Sequence, residues 1–106
     1  MANEQAEDMI REIGRKYAEV LQRRMNLRSL YVFGSYVRGG HGNDSDIDIA
    51  VVADDFTGDV IEDTLTLMKL RRPVDMRIEP HPFLLSDFTE KNPMAREIMR
   101  TGIRIV

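Results

Sequence analysis

The stretch GSYVRGGHGNDSDIDIAVV, residues 34–52, decides the fold and carries most of the recognisable chemistry. Its last seven residues alternate as a β-strand does, so Asp46 and Asp48 share one face while branched apolar side chains occupy the other. Two aspartates at this spacing lie about 6.5–7 Å apart and repel each other, which a bound cation would offset. Because carboxylate oxygens suit Mg²⁺ or Mn²⁺, and two such ions can share carboxylates, the pattern predicts a divalent-metal site.

The residues just before this strand are suited to holding a phosphate group. The run 29–33, SLYVF, is aromatic and β-branched and predicts a buried strand that stops at Gly34. Gly34 lets the backbone approach an anion closely, and Ser35 can cap a short helix whose first N–H groups would face the phosphate. Arg38, one turn later, suits either a phosphate contact or an ion pair with a carboxylate of the loop 39–44.

A third carboxylate, Asp75, is predicted on another strand. Residues 74–78, VDMRI, alternate, so that Asp75 and Arg77 face away from the apolar side. Residues 80–82, Pro-His-Pro, are expected to end this strand, with His81 as a loop residue. Asp75 is expected to add a third oxygen donor to the metal site; simple ion pairing with a nearby arginine is the alternative interpretation.

The remaining elements are predicted from hydrophobic spacing and from helix-capping residues. An amphipathic helix is expected over about residues 4–25, and a capping box at residues 59–62 opens a helix to about residue 71. A short helix around 83–88, a helix 92–102 and a last strand 103–106 complete the chain. This order predicts an α/β fold, an α+β sandwich with a small mixed sheet and helices packed mainly on one side, in one domain over residues 1–106.

The composition narrows the class of protein. A formal net charge of -3 and a sequence pI near 5.3 do not favour a protein that binds nucleic acid mainly by neutralising phosphates. The chain contains no cysteine, which excludes disulfides and thiolate metal sites. The charged N-terminal segment lacks the apolar core of a signal peptide, and no apolar run reaches membrane-spanning length. A soluble, cytoplasmic protein is therefore expected.

Taken together, the motifs resemble those of a known enzyme family. Gly34-Ser35, ten intervening residues and Asp46-Ile47-Asp48 are similar to the defining motif of the minimal nucleotidyltransferases, within the DNA-polymerase-beta-like superfamily. Arg38-Gly39, Ser45 and Val74-Asp75-Met76 also resemble that family's pattern. The resemblance spans roughly residues 28–79 and implies a nucleotidyltransferase-like fold.

The resemblance also implies an activity and a site. It implies transfer of a nucleoside monophosphate, AMP in the first instance, from an NTP to a hydroxyl acceptor with release of pyrophosphate. Two Mg²⁺ or Mn²⁺ ions would be held by Asp46, Asp48 and Asp75, and Asp75 would assist deprotonation of the acceptor. The residues expected to bind the nucleotide are Gly34, Ser35, Arg38 and Ser45.

The acceptor and the partner remain open at this point. Small members of the family pair with a helical HEPN-type protein, so the resemblance implies an antitoxin that modifies such a partner. One alternative is a non-catalytic antitoxin or regulatory subunit that only binds its partner. Another is an enzyme that modifies a small molecule such as an antibiotic, although the segment 83–106 leaves little material for a second-substrate domain. A homo-oligomer is compatible with each of these.

Overall fold

The computed structural model describes residues 4–34, 37 and 46–106. The described elements, in chain order, are α1 (Glu4–Gln22), β1 (Leu27–Phe33), β2 (Ile47–Ala53), α2 (Val60–Leu70), β3 (Ile78–Leu84), a 3₁₀ helix (Leu85–Asp87), α3 (Pro93–Thr101) and β4 (Ile103–Arg104). The strands form one mixed sheet in the order β3-β2-β1-β4. Strands β2 and β3 are parallel, whereas β1 is antiparallel to both β2 and β4.

Helices α1 and α2 cover one face of the sheet and enclose the main hydrophobic core. The apolar side chains of α1 recur every three or four residues, and Ile10 and Leu21 are fully buried. Burying an aliphatic side chain of this size contributes about 1.5–3 kcal/mol. The Tyr17 hydroxyl donates a 2.7 Å hydrogen bond to the backbone carbonyl of Leu67, which joins α1 to α2 inside the core. The inward-facing residues of the sheet are Leu30, Val32, Ile47, Ile49, Val51 and Ile78.

Helix α3 lies against the other face, where Ile98 packs with Tyr31 and Ala50. Partly buried aromatic side chains, including Phe33, join this smaller cluster. The predicted class, a small mixed sheet with helices mainly on one side, is therefore confirmed, with α3 as the helix on the second face. Because Asp48 precedes Ala50 by two residues, its side chain projects from the same face as α3.

The predicted strand over 74–78 is wrong. The N–H groups of Val74 and Asp75 both donate to the Arg71 carbonyl at 2.9 Å, so the chain after α2 continues as a turn. Strand β3 begins only at Ile78 and continues through both prolines.

Strand β3 can continue through its two prolines because it is an edge strand of the described sheet. The Ile47 N–H donates to the Arg77 carbonyl at 2.8 Å, which fixes the parity of the parallel ladder. Glu79 and His81 therefore turn their N–H groups toward β2, whereas residues 80 and 82 face outward, where a missing N–H costs no ladder bond. From the sequence alone the two prolines predict the end of a strand, because the sequence does not show that β3 lies at the edge of the sheet.

The predicted helix boundaries are largely confirmed. The Asp59 carboxylate caps α2 by accepting from the N–H groups of Ile61 and Glu62, while the Asp59 N–H donates to the Thr57 hydroxyl. Asn92 caps α3 in the same way, with Pro93 as the first helical residue. Helix α1 ends at Gln22 rather than near residue 25.

The short elements predicted around residues 83–88 and 35–44 have different outcomes. Residues 83–84 end β3, and only residues 85–87 form a short 3₁₀ helix, so the helix expected over 83–88 is mostly absent. Of the short helix expected at 35–38 only residue 37 is described, and the loop 39–44 lies outside the described residues. Within the part of the chain that is described, no helix combines the length and apolar character needed to cross a membrane.

Candidate active site

The parallel pairing of β2 with β3 brings three potential metal ligands together. Asp48 pairs in register with Glu79, and Ala50 pairs with His81, so all three polar side chains project from the face that also carries α3. His81 Nε2 lies 3.1 Å from Asp48 Oδ1. One ligand atom each from Asp48, Glu79 and His81 lies within 4.8 Å of the other two. We call these three residues the β2–β3 cluster.

Asp46 adds a fourth polar group at the start of β2. A hydrogen bond from the Glu79 carboxyl to Asp46 is the largest cause that raises the pKa of Glu79. Burial and the negative charges of Asp48 and Asp46 raise that pKa further, whereas the charge of His81 lowers it. The carboxylates therefore repel one another, and a bound divalent cation would relieve that repulsion.

Gly34 lies directly against this group of carboxylates. It ends β1 with a φ of +85°, a conformation that side-chain-bearing residues rarely adopt. A Cβ atom added at Gly34 would also collide with the Asp48 carboxylate. The backbone angle and the close approach of Asp48 both favour glycine at this position. Its expected role in letting the backbone approach a phosphate stays a prediction. Three other predicted nucleotide-binding residues, Ser35, Arg38 and Ser45, lie outside the described residues.

Asp75 is placed in a different environment from the other predicted ligands. It lies in the turn before β3, and its Oδ1 accepts from the Arg77 backbone N–H at 2.8 Å and from Arg77 Nε at 3.0 Å. Its Oδ2 accepts from the same guanidinium at 2.8 Å. These hydrogen bonds to Arg77 are the main reason that the pKa of Asp75 is lowered. Asp75 is not a member of the β2–β3 cluster.

Glu79 and His81 are not among the site residues that the sequence motifs predict. Their signal is present in the chain, because the alternation of residues 75–78 continues as Glu79, Pro80, His81, Pro82. Both prolines fall on the same parity, which is the pattern of an edge strand that keeps its polar face. The signal could be recognised only by allowing a strand to pass through prolines.

A groove of about 620 Å³ opens beside the cluster. Asp46, Glu79 and His81 line it together with apolar side chains of α2 and β3, and with Met94 of α3. Val60 and Met94, which also line it, have 65% and 44% of their surfaces exposed. The polar cluster therefore adjoins a partly apolar, solvent-accessible surface on which a second molecule could lie.

Comparison with known proteins decides the family. A family model described as polymerase beta, nucleotidyltransferase, matches residues 15–106. The chain belongs to this nucleotidyltransferase family. The matched region contains Gly34, Asp46, Asp48 and all of β3, and the resemblance inferred from the sequence motifs is confirmed.

Individual relatives agree with this nucleotidyltransferase assignment. A candidate protein adenylyltransferase of Methanocaldococcus jannaschii is 44% identical over 46 residues, which are 43% of this chain and 46% of the relative. The match thus spans less than half the length of that curated relative.

Two solved structures share the nucleotidyltransferase fold. The crystal structure of a candidate nucleotidyltransferase from Sulfolobus solfataricus matches with a TM-score of 0.62 and 20% identity, over 96% of this chain and 86% of the other. A toxin–antitoxin structure with AMP-PNP matches with a TM-score of 0.60 and 23% identity, over 88% of this chain and 72% of the other.

The donor set of this nucleotidyltransferase fits a divalent cation. Asp46, Asp48 and Glu79 offer carboxylate oxygens, and the negative charges of Asp48 and Asp46 help to raise the pKa of Glu79. Hard oxygen donors of this kind suit Mg²⁺ and Mn²⁺. Asp75, in contrast, already has its charge matched by Arg77.

Proposed function

We propose that this protein is a metal-dependent nucleotidyltransferase that moves a nucleoside monophosphate, AMP in the first instance, from an NTP to a hydroxyl group of a partner protein. The observation that carries the proposal is the convergence of Asp46, Asp48 and Glu79 on one sheet face, with Gly34 packed against Asp48. Family membership supports the reaction class. The M. jannaschii relative, named as a candidate protein adenylyltransferase, supports AMP and a protein acceptor.

The three carboxylates are proposed to hold the metal, with Glu79 taking the role that sequence analysis gave to Asp75. A divalent cation bound there would neutralise charge on the triphosphate and lower the pKa of the acceptor hydroxyl. Glu79 suits this role because it faces Asp48 in register and because no arginine within the described residues forms an ion pair with it. Asp75 is proposed to shape the turn that leads into β3, through its bonds to Arg77.

The nucleotide is proposed to lie across the end of β1. Gly34 has no side chain between its backbone and the Asp48 carboxylate, so a cation held by Asp48 would lie close to the end of β1, where a triphosphate could share it. Ser35, Arg38 and Ser45 are proposed to contact the triphosphate, as the sequence motif implies. The neighbouring solved structure that contains AMP-PNP supports a nucleotide in this fold.

The acceptor is proposed to approach through the groove beside β3. That groove reaches Asp46, Glu79 and His81, so a hydroxyl lying in it would be next to the metal-binding carboxylates. Exposed apolar residues along its wall, Val60 and Met94, suit a protein surface better than a free sugar or antibiotic. A toxin–antitoxin neighbour supports a protein partner, and we propose a helical toxin of the HEPN type.

The deciding experiment is incubation with α-³²P-labelled NTPs and Mg²⁺ or Mn²⁺, with and without the partner protein. The wild type is compared with the double variant Asp46→Asn, Asp48→Asn. A matched control, Glu19→Gln with Glu90→Gln, removes the same charge from two exposed positions outside the site. We expect metal-dependent label on the partner with the wild type and the control, and none with the site variant.

Two outcomes would contradict the proposal. Equal labelling by the Asp46→Asn, Asp48→Asn variant would remove these carboxylates from catalysis. Tight partner binding without any label, under every NTP and both metals, would favour a binding subunit that does not turn over. Label on a small molecule in place of the partner would keep the reaction class and change the acceptor.

A further inference from the structure

His81 is the member of the β2–β3 cluster that an all-oxygen metal site leaves without a role. Its side chain is 29% exposed, and Nε2 lies 3.1 Å from Asp48 Oδ1. Its ring packs against Phe33 with centroids 5.1 Å apart and an interplanar angle of 59°. Since the strand and the Phe33 ring both restrict the imidazole, Nε2 is held toward the carboxylates.

The spacing of the three side chains suits ligands of one ion. Neighbouring ligands on an octahedral cation with bonds of 2.0–2.1 Å lie about 3 Å apart. The separation of 3.1 Å between His81 Nε2 and Asp48 Oδ1 is close to that value. Glu79 completes the set, because one ligand atom from each residue lies within 4.8 Å of the others.

We propose that His81 is a nitrogen ligand of the cation held by Asp48 and Glu79, so that this site selects Mn²⁺ or a later transition-metal ion over Mg²⁺. The inference rests on the proposed function only in treating these two carboxylates as cation ligands. Mg²⁺ strongly prefers oxygen ligands and retains its waters, whereas an imidazole is a good ligand for first-row transition metals. Replacing one oxygen by nitrogen therefore shifts the preference away from Mg²⁺.

The competing interpretation is that His81 only holds Asp48 in place by a hydrogen bond. A glutamine separates the two roles, because its amide can still donate to the Asp48 carboxylate but is a weak ligand for transition metals. If His81 is a positioning residue, His81→Gln should weaken Mn²⁺ and Mg²⁺ binding to the same degree. If His81 is a ligand, the loss should fall mainly on Mn²⁺.

The test combines pulsed EPR of bound Mn²⁺ with calorimetric titration of Mn²⁺ and Mg²⁺. It compares the wild type, His81→Gln and His41→Gln, since His41 is the other of the two histidines in the chain. We expect nitrogen hyperfine coupling in the wild type and in His41→Gln, and its loss in His81→Gln. Mn²⁺ affinity should fall about tenfold or more in His81→Gln, with a change in Mg²⁺ affinity below about threefold.

Several results would overturn the inference. These are bound Mn²⁺ without nitrogen coupling in the wild type, coupling that persists in His81→Gln, coupling that disappears in His41→Gln, or equal weakening of both metals. The wild-type spectrum is decisive even if a variant folds poorly. Nucleotide transfer by a wild type whose Mn²⁺ lacks nitrogen coupling would refute the ligand role alone, whereas transfer by the Asp46→Asn, Asp48→Asn variant would refute the proposed function.

Discussion

Asp75 and Glu79 are four residues apart in sequence, yet the fold places them in opposite electrostatic environments. Asp75 is bracketed by the backbone N–H and the guanidinium of Arg77, and its pKa is lowered. Glu79 faces Asp46 and Asp48 across a parallel strand pair, and its pKa is raised. Among the described residues, the first carboxylate forms an ion pair with an arginine, whereas the second lies beside two other carboxylates.

We propose that this difference separates a structural carboxylate, Asp75, from a metal-binding one, Glu79. A carboxylate that already has its counter-charge has little to gain from a cation, whereas carboxylates that repel one another gain much. The identity of the residue does not distinguish the two cases, because both are ordinary acids with the same intrinsic chemistry. The surroundings of the two carboxylates distinguish them. Four predictions test this difference between Asp75 and Glu79.

The largest effect is expected on nucleotide transfer. Glu79→Gln should lower the initial rate more than about 100-fold, because loss of a direct metal ligand costs at least as much as the loss of its supporting partners. Asp75→Asn should keep the rate within about threefold of the wild type at saturating metal. The initial rates of labelled AMP transfer by the two variants test this. A larger loss of rate in Asp75→Asn than in Glu79→Gln would indicate that Asp75, and not Glu79, is the metal ligand.

A second effect is expected at the glycine that adjoins the cluster. Gly34→Ala should cost about 1–3 kcal/mol of stability from the positive φ, and should also impair Mn²⁺ binding by displacing Asp48. Gly58→Ala is the matched control, because Gly58 has a φ of +93° but open space where its Cβ would lie. Thermal unfolding and metal titration of both variants test this, and unchanged Mn²⁺ affinity in Gly34→Ala would contradict it.

A third effect concerns the stability contributed by Asp75. Asp75→Asn should lower the free energy of unfolding at neutral pH by about 1 kcal/mol or less, since its partner Arg77 is partly exposed. Because the folded state lowers the pKa of Asp75, this contribution is present above the ordinary aspartate range and is lost as the pH falls through the lowered value. Denaturant unfolding of the wild type and Asp75→Asn from pH 7 to pH 2 should show the difference in their free energies of unfolding shrinking toward zero. A difference that stays constant with pH would exclude the ion pair as its cause.

The smallest expected effect is a gain in stability, whereas the three preceding predictions are losses of rate or stability. Glu79→Gln should raise the melting temperature of the metal-free protein at pH 7 by about 2–4 °C, corresponding to roughly 0.5 kcal/mol for an exposed, screened carboxylate. Because the folded state raises the pKa of Glu79, its stabilising contribution is present below the ordinary glutamate range and is lost as the pH rises through the raised value.

The gain from Glu79→Gln should therefore vanish near pH 4. Excess Mn²⁺ should reverse the order of stability at pH 7, because it binds the wild type more tightly. Calorimetric melts with and without Mn²⁺ measure both effects. A wild type that is more stable than Glu79→Gln without metal would show that the carboxylates do not repel one another.

Local sequence was sufficient for much of the fold. The buried face of α1, the alternation in β2 and the caps at Asp59 and Asn92 all follow from residues within a few positions of one another. It was also sufficient to place Asp46 and Asp48 on one face, because alternation fixes it. Gly34 was predicted only as a position where the backbone could approach a phosphate, and its positive φ and its contact with Asp48 are known from the structure.

The sequence by itself predicted that Asp46 and Asp48 share one face, because alternation depends only on backbone geometry over a few residues. The tertiary structure decided which residues face Asp48, since that depends on a parallel register between segments about thirty residues apart. Strand β3 can contain prolines because it lies at the edge of the described sheet. The strand therefore continues through Glu79 and His81, which places both side chains in the β2–β3 cluster. Alternation assigns a side chain to a face, but packing across the sheet decides what it meets there.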